Sequence, residues 1–130
     1  MNETTVRVYL DRALQLAKAM RLCRQNNPTY PSAAALLAVH SAIAYNDAVQ
    51  IKLTGERLKT QDHGQAVAAT KRACGRARVE PRGIEHLRKL LSMKTDISYG
   101  DQEVTNQLSD ALCIAADRFE AWAQGSVLNR

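Results

Sequence analysis

The segment Leu36 to Gly64, LLAVHSAIAYNDAVQIKLTGERLKTQDHG, most constrains the fold of this chain. It sets a histidine, an asparagine and an aspartate inside a long apolar helical pattern. A glycine turn follows, and Asp62-His63-Gly64 opens a second helix. Such a pattern points to a helix that packs its apolar residues against other helices. The rest of the chain fits that reading. Ala, Leu, Gln, Arg and Lys, all good helix formers, are plentiful, whereas there are only three prolines and six glycines.

Apolar spacing of three and four residues marks five helices. The first runs from Val6 to Gln25, with Leu10, Ala13, Leu14, Ala17, Met20 and Cys23 as its inward stripe. Asn26, Asn27 and Pro28 stop it. The second runs from Ser32, or the preceding Pro31, to about Leu53, and Gly55 is suited to its C-cap. The third opens at Asp62, whose spacing to Gln65 is that of a capping box, and reaches about Arg78. A short fourth helix runs from Pro81 to Met93, with Ile84, Leu87, Leu90 and Leu91 inward. Residues 93–100 read as a connector. The last helix reads from Asp101 to about Ala123 on the stripe Val104, Leu108, Ala111, Leu112, Ala115, Phe119 and Trp122. Short links between helices predict an all-α, antiparallel up-and-down bundle of four to five helices. The 130 residues, 45% of them hydrophobic, suit one domain with a core over about 5–124 and a frayed tail from Ser126.

Charge and cysteine usage narrow the function classes. The net charge of +5 is uneven: residues 1–60 and 61–100 each hold eight cations against four acids, and residues 101–130 hold two against five. The basic excess suits nucleic acid or an acidic protein as partner. Cys23, Cys74 and Cys113 have neither metal-ligand spacing nor a disulfide pattern and read as packing thiols in a reducing cytoplasm. No secretory leader or membrane-spanning run is visible. Zinc-protease, Walker, dinucleotide-binding and nucleophile-elbow motifs are absent, so no cofactor or metal is expected.

Several polar residues invite two readings. His40, among Leu36, Leu37, Ile43 and Ala44, is either a packed border residue or part of a site. Asp47 follows seven residues later, and a carboxylate there requires a partner if buried. Lys94, Lys71 and Arg72 are the candidates. His63 lies in the first turn of the third helix, where free N–H groups favour anions, and is either a base, a nucleobase contact or a surface residue. Lys94 to Asp101 gathers a cation and the phenol of Tyr99 at the expected entrance of the last helix. This segment suits a phosphate, unless Tyr99 simply plugs the bundle. Lys71, Arg72 and Arg76, continued by Arg78 and Arg82, form the densest basic run. It is either a phosphate-contacting patch or a solvated helix flank.

Taken together, HSAIAYNDAVQIKLTG in the second helix, QDHG at the start of the third and LRKLLSMKTDISYGD before the last resemble the HEPN superfamily of small helical domains. The resemblance covers about residues 5–124. It implies a helical bundle that forms homodimers or pairs with a minimal nucleotidyltransferase. It also brings in two activities: non-catalytic binding of a nucleotide, and metal-independent RNA cleavage by toxins. The cleaving members carry R-x4-6-H near the start of the final helix. Here Lys94 and Tyr99 stand at that place, and a phenol is a poor proton acceptor near neutral pH. Arg57 and His63 have the R-x5-H spacing but lie between the second and third helices. The expectation is therefore a non-catalytic binding module with His63, Lys94, Tyr99, Asp47, His40 and Arg57 as ligand-binding candidates. A divergent ribonuclease and a purely structural or regulatory protein are the alternatives.

Overall fold

The computed structural model describes residues 2–129, whose regular secondary structure is all helical, with no strand among them. Six α-helices follow in order: α1 (Asn2–Gln25), α2 (Pro31–Thr54), α3 (His63–Ala77), α4 (Ile84–Ser92), α5 (Lys94–Tyr99) and α6 (Asn106–Trp122). A π-helical segment, Ala123–Leu128, extends α6.

The central element is α2, which packs against α1, α3, α4, α5, α6 and the π-helical segment. Its composition explains this position. Ala34, Ala35, Ala38, Ala42, Ala44 and Ala48 are all buried. Side chains this small let neighbouring helices approach closely on several sides, while Val39, Tyr45 and Val49 fill the gaps between them. Met20 from α1, Leu87 and Leu90 from α4, and Leu112 and Phe119 from α6 complete the interior. Phe119 stacks on Trp122 at a centroid distance of 5.5 Å. The Trp122 indole N–H donates to the Glu80 carbonyl at 2.8 Å, so the ring closes the core against the α3–α4 link.

Helix boundaries follow their caps. Gly55 ends α2 at φ 91°, its N–H donating to the Ile51 carbonyl. Asp62 caps α3 by accepting from the Gln65 N–H at 2.9 Å. The reciprocal half of the box is not made: the Gln65 side chain accepts from the Thr60 hydroxyl, which also takes the Asp62 N–H. A Schellman motif closes α3. The Val79 N–H reaches the Cys74 carbonyl at 2.9 Å and the Arg78 N–H reaches the Gly75 carbonyl at 3.3 Å. This places Arg78 at φ 58°, in the left-handed region.

Five sequence expectations are corrected here. Residues 94–99, read as part of a connector, form α5. Helix α6 starts at Asn106 rather than Asp101, because the Thr105 hydroxyl accepts the Leu108 N–H at 3.1 Å and fixes the cap there. Leu14, placed in the α1 stripe, is exposed. Residues 123–128 form the π-helical segment packed into the bundle instead of fraying at Ser126, and Arg130 of the expected tail lies outside the described residues. The wider π turn, with the Asn129 N–H donating to the Gln124 carbonyl at 3.0 Å, carries Val127 into the core at 0% exposure. The fourth helix begins at Ile84, after an irregular turn from Pro81.

Two polar networks cross the interior. The buried Thr70 hydroxyl donates to Asn46 Oδ1 at 2.5 Å and accepts from Gln50 Nε2 at 2.9 Å. Gln50 Oε1 then accepts the Leu58 N–H at 2.8 Å, pinning the α2–α3 loop. On the other side, the buried Tyr45 hydroxyl donates to Glu120 Oε2 at 2.6 Å and accepts from Gln124 Nε2 at 3.2 Å. Burial and this carboxylate push the phenol well above its ordinary value. Glu120 also pairs with Arg21, and Asp117 pairs with Arg21 and Arg24, which bridges α1 to α6. No helix is long and apolar enough to cross a membrane among the described residues. The three cysteines are free. Cys74 and Cys113 are buried, and burial raises both thiols above their ordinary value.

Candidate functional site

One face of α2 is incompletely covered. Leu36 is exposed, and Leu37, His40, Ile43 and Asp47 are half-buried, whereas the other residues between Ala34 and Ile51 are buried. At 100° per residue these positions share one side. His40 and Asp47 stand two turns apart on it, about 10 Å along the axis.

Charged groups from three other elements gather on this face. Arg57, in the loop pinned by Gln50, pairs with Asp47 at 3.9 Å. Its guanidinium lies 5.4 Å from the centre of the Tyr9 ring, and that of Arg12 lies 5.0 Å from the same ring. Tyr9 on α1 thus holds two cations beside Asp47 through its π face. Arg57, not Lys94, Lys71 or Arg72, is the partner of Asp47, which corrects the sequence expectation. The loop folds back over α2, a long-range event that local spacing does not encode. At the other end, Lys94 from α5 acts on His40. Burial lowers the imidazole below its ordinary value, and the Lys94 charge lowers it further. The face therefore combines a neutral imidazole, one carboxylate and three cations.

Burial raises the Asp47 carboxyl above its ordinary value, against the opposing pull of Arg57 and Arg12. The folded chain therefore keeps this proton over a pH window in which the unfolded chain has lost it. Stability contributed by Asp47 falls as pH rises through that window, and the ionised group is a net cost above it. Asp47→Asn is expected to raise the melting temperature at pH 7 and to leave it unchanged near pH 3. Thermal melts at the two pH values check this, and an equal shift at both would exclude the charge as the cause.

The remaining candidates are dispersed. His63 opens α3 and is half-buried. Tyr99 is 85% exposed at the end of α5, so it does not plug the bundle. Lys94 to Asp101 does not form the entrance of α6, whose first residue, Asn106, lies five positions beyond Asp101. Lys71, Arg72 and Arg76 are exposed on α3. Sequence reasoning missed Tyr9 and Arg12. Their i,i+3 spacing on α1 was visible, but nothing in it pointed towards Asp47.

The fold and this face define a small all-helical domain whose central helix carries a partly open, mixed-charge stripe. No family model, no curated protein and no solved structure matches the chain.

Proposed function

We propose that this chain is a non-catalytic binding module with an antiparallel, HEPN-like bundle. It pairs with a second protein chain, either its own copy or the minimal nucleotidyltransferase that the HEPN resemblance implies. The α2 face takes up the phosphates of a nucleotide. The carrying observation is the convergence of Arg12, Arg57 and Lys94 from three elements onto the one incompletely covered side of α2. Three cations exceed what Asp47 alone needs, and a phosphate would use the surplus. The retained Asp47, buried at a cost, holds Arg57 in place.

Isothermal titration with ATP is the test. Saturable binding is expected, weakened about tenfold by Arg57→Ala or Lys94→Ala. An absence of heat at millimolar ATP removes the nucleotide role. Sedimentation velocity at increasing concentration, alone and with a nucleotidyltransferase encoded beside this chain, tests the pairing.

A further inference from the structure

The strongest unbalanced charge on the molecule lies away from the α2 face. Residues 71–82 hold five cations, Lys71, Arg72, Arg76, Arg78 and Arg82, against the single acid Glu80. Their net of +4 compares with +5 for the whole chain. All five are exposed, and none forms an ion pair among the described residues. The cations that are paired elsewhere, Arg21, Arg24, Arg57 and Arg88, show that acids are placed where a cation is structural.

Two features of the same stretch work against stability without serving the fold. Gly75 sits inside α3 on its solvent side, between Lys71, Arg72 and Arg76 in helical projection. A Cβ placed there meets no atom within 4 Å, so packing does not require glycine. Three residues on, the left-handed Schellman position that glycine normally fills is occupied by Arg78 at φ 58°. Alanine at the first position and glycine at the second are the locally favoured choices. A helix surface without a side chain admits a ligand close to its backbone, and an arginine held at a strained position supplies charge. Local rules broken together in one exposed patch mark a binding surface.

We infer that the α3 ridge, Lys71, Arg72 and Arg76 with Arg78 at its C-cap, around the bare helix surface at Gly75 and continued by Arg82 in the link that follows, binds the phosphodiester backbone of a nucleic acid duplex. The ridge spans about 10 Å of helix, and a duplex offers one charge per about 1.7 Å of its axis. No Phe, Tyr or Trp occurs between residues 46 and 98 of the sequence. The ridge therefore lacks a stacking platform, which single strands use. Its reading of a duplex is independent of base sequence. Glu56 is the acid across the groove from Arg72 and Arg76, and it biases the contact towards the outer side of α3.

The test is fluorescence anisotropy with labelled DNA duplex, RNA duplex, DNA single strand and polyglutamate, at several salt concentrations. Duplex binding is expected to weaken with salt, with a log–log slope no steeper than about −4.5 on DNA. The two duplexes report which nucleic acid fits better, and either preference supports the ridge. Arg72→Ala/Arg76→Ala should weaken binding about tenfold or more, whereas Lys18→Ala, the same kind of charge loss on α1, should change it less than about twofold. Arg78→Gly is the decisive variant. It should raise the melting temperature by about 3 °C while weakening binding roughly threefold to fivefold and flattening the salt slope by about 1. Weaker binding in a more stable protein cannot arise from unfolding. The inference fails if Arg78→Gly binds as well as the parent, if Lys18→Ala is as harmful as the double variant, or if single strand or polyglutamate binds more tightly than either duplex. It also fails if no duplex binds at low salt.

Discussion

Replacing Gly83 by alanine is expected to destabilise the protein by about 2–3 kcal/mol and to lower its melting temperature by roughly 10 °C. A Cβ at this position would lie 2.5 Å from Trp122 Cδ2 and 2.7 Å from Cγ. The backbone at Gly83 has φ −81°, which any residue adopts, so the penalty is steric and not conformational. The clash falls on the root of the indole, held by its stack on Phe119 and its hydrogen bond to the Glu80 carbonyl. The ring can escape only by giving up both contacts. Trp122 is the single tryptophan of the chain, so its emission reports the displacement directly. A red shift should accompany the loss of stability. An unchanged melting temperature with unchanged emission would mean that the ring shifts at no cost and does not close the core. Gly75→Ala is the control, because the same added methyl meets open space there and should stabilise α3 by about 1 kcal/mol.

Thr70→Val should cost about 2–3 kcal/mol although it preserves shape. The Thr70 hydroxyl is the hinge of a buried chain, donating to Asn46 and accepting from Gln50. Valine leaves the Asn46 oxygen and one Gln50 donor without their partner, both in the interior. Thr70→Ser keeps the hydroxyl and loses only a methyl group, so it should cost about 1 kcal/mol. If serine proved the worse of the two, packing rather than polarity would set the stability at this site. The effect should also travel outward. Gln50 holds the Leu58 N–H, and a loosened Gln50 should speed hydrogen exchange at Leu58 more than at Gly55, which is bonded to α2 itself.

These two sites illustrate what local pattern reveals and what it hides. The apolar spacing of Ile84, Leu87, Leu90 and Leu91 located α4 and its buried side, because a helix of that size has one face to hide. Asp62 and Gly55 announced their caps, since each acts within four residues. The start of α6 was misplaced because two polar residues competed. A side-chain acceptor at Thr105 prevails over the weaker dipole contribution of Asp101. Helix α5 escaped notice because six residues are too few to show a period. The π turn escaped because Gly125 and Ser126 have the composition of a tail. At the α2 face, His40, Asp47, Lys94 and Arg57 were each singled out from the sequence. Their grouping, with Arg57 on Asp47 and Lys94 by His40, depends on how the loop and α5 fold across α2.

Because α2 touches every other element, the amides at its fully buried positions meet solvent only when the domain unfolds as a whole. Deuterium uptake at Val39, Tyr45 and Val49 should therefore track the global free energy of unfolding, while α5, with no buried residue, should become labelled far earlier. A single labelling experiment on this chain would then read the least and the most persistent parts of the molecule together.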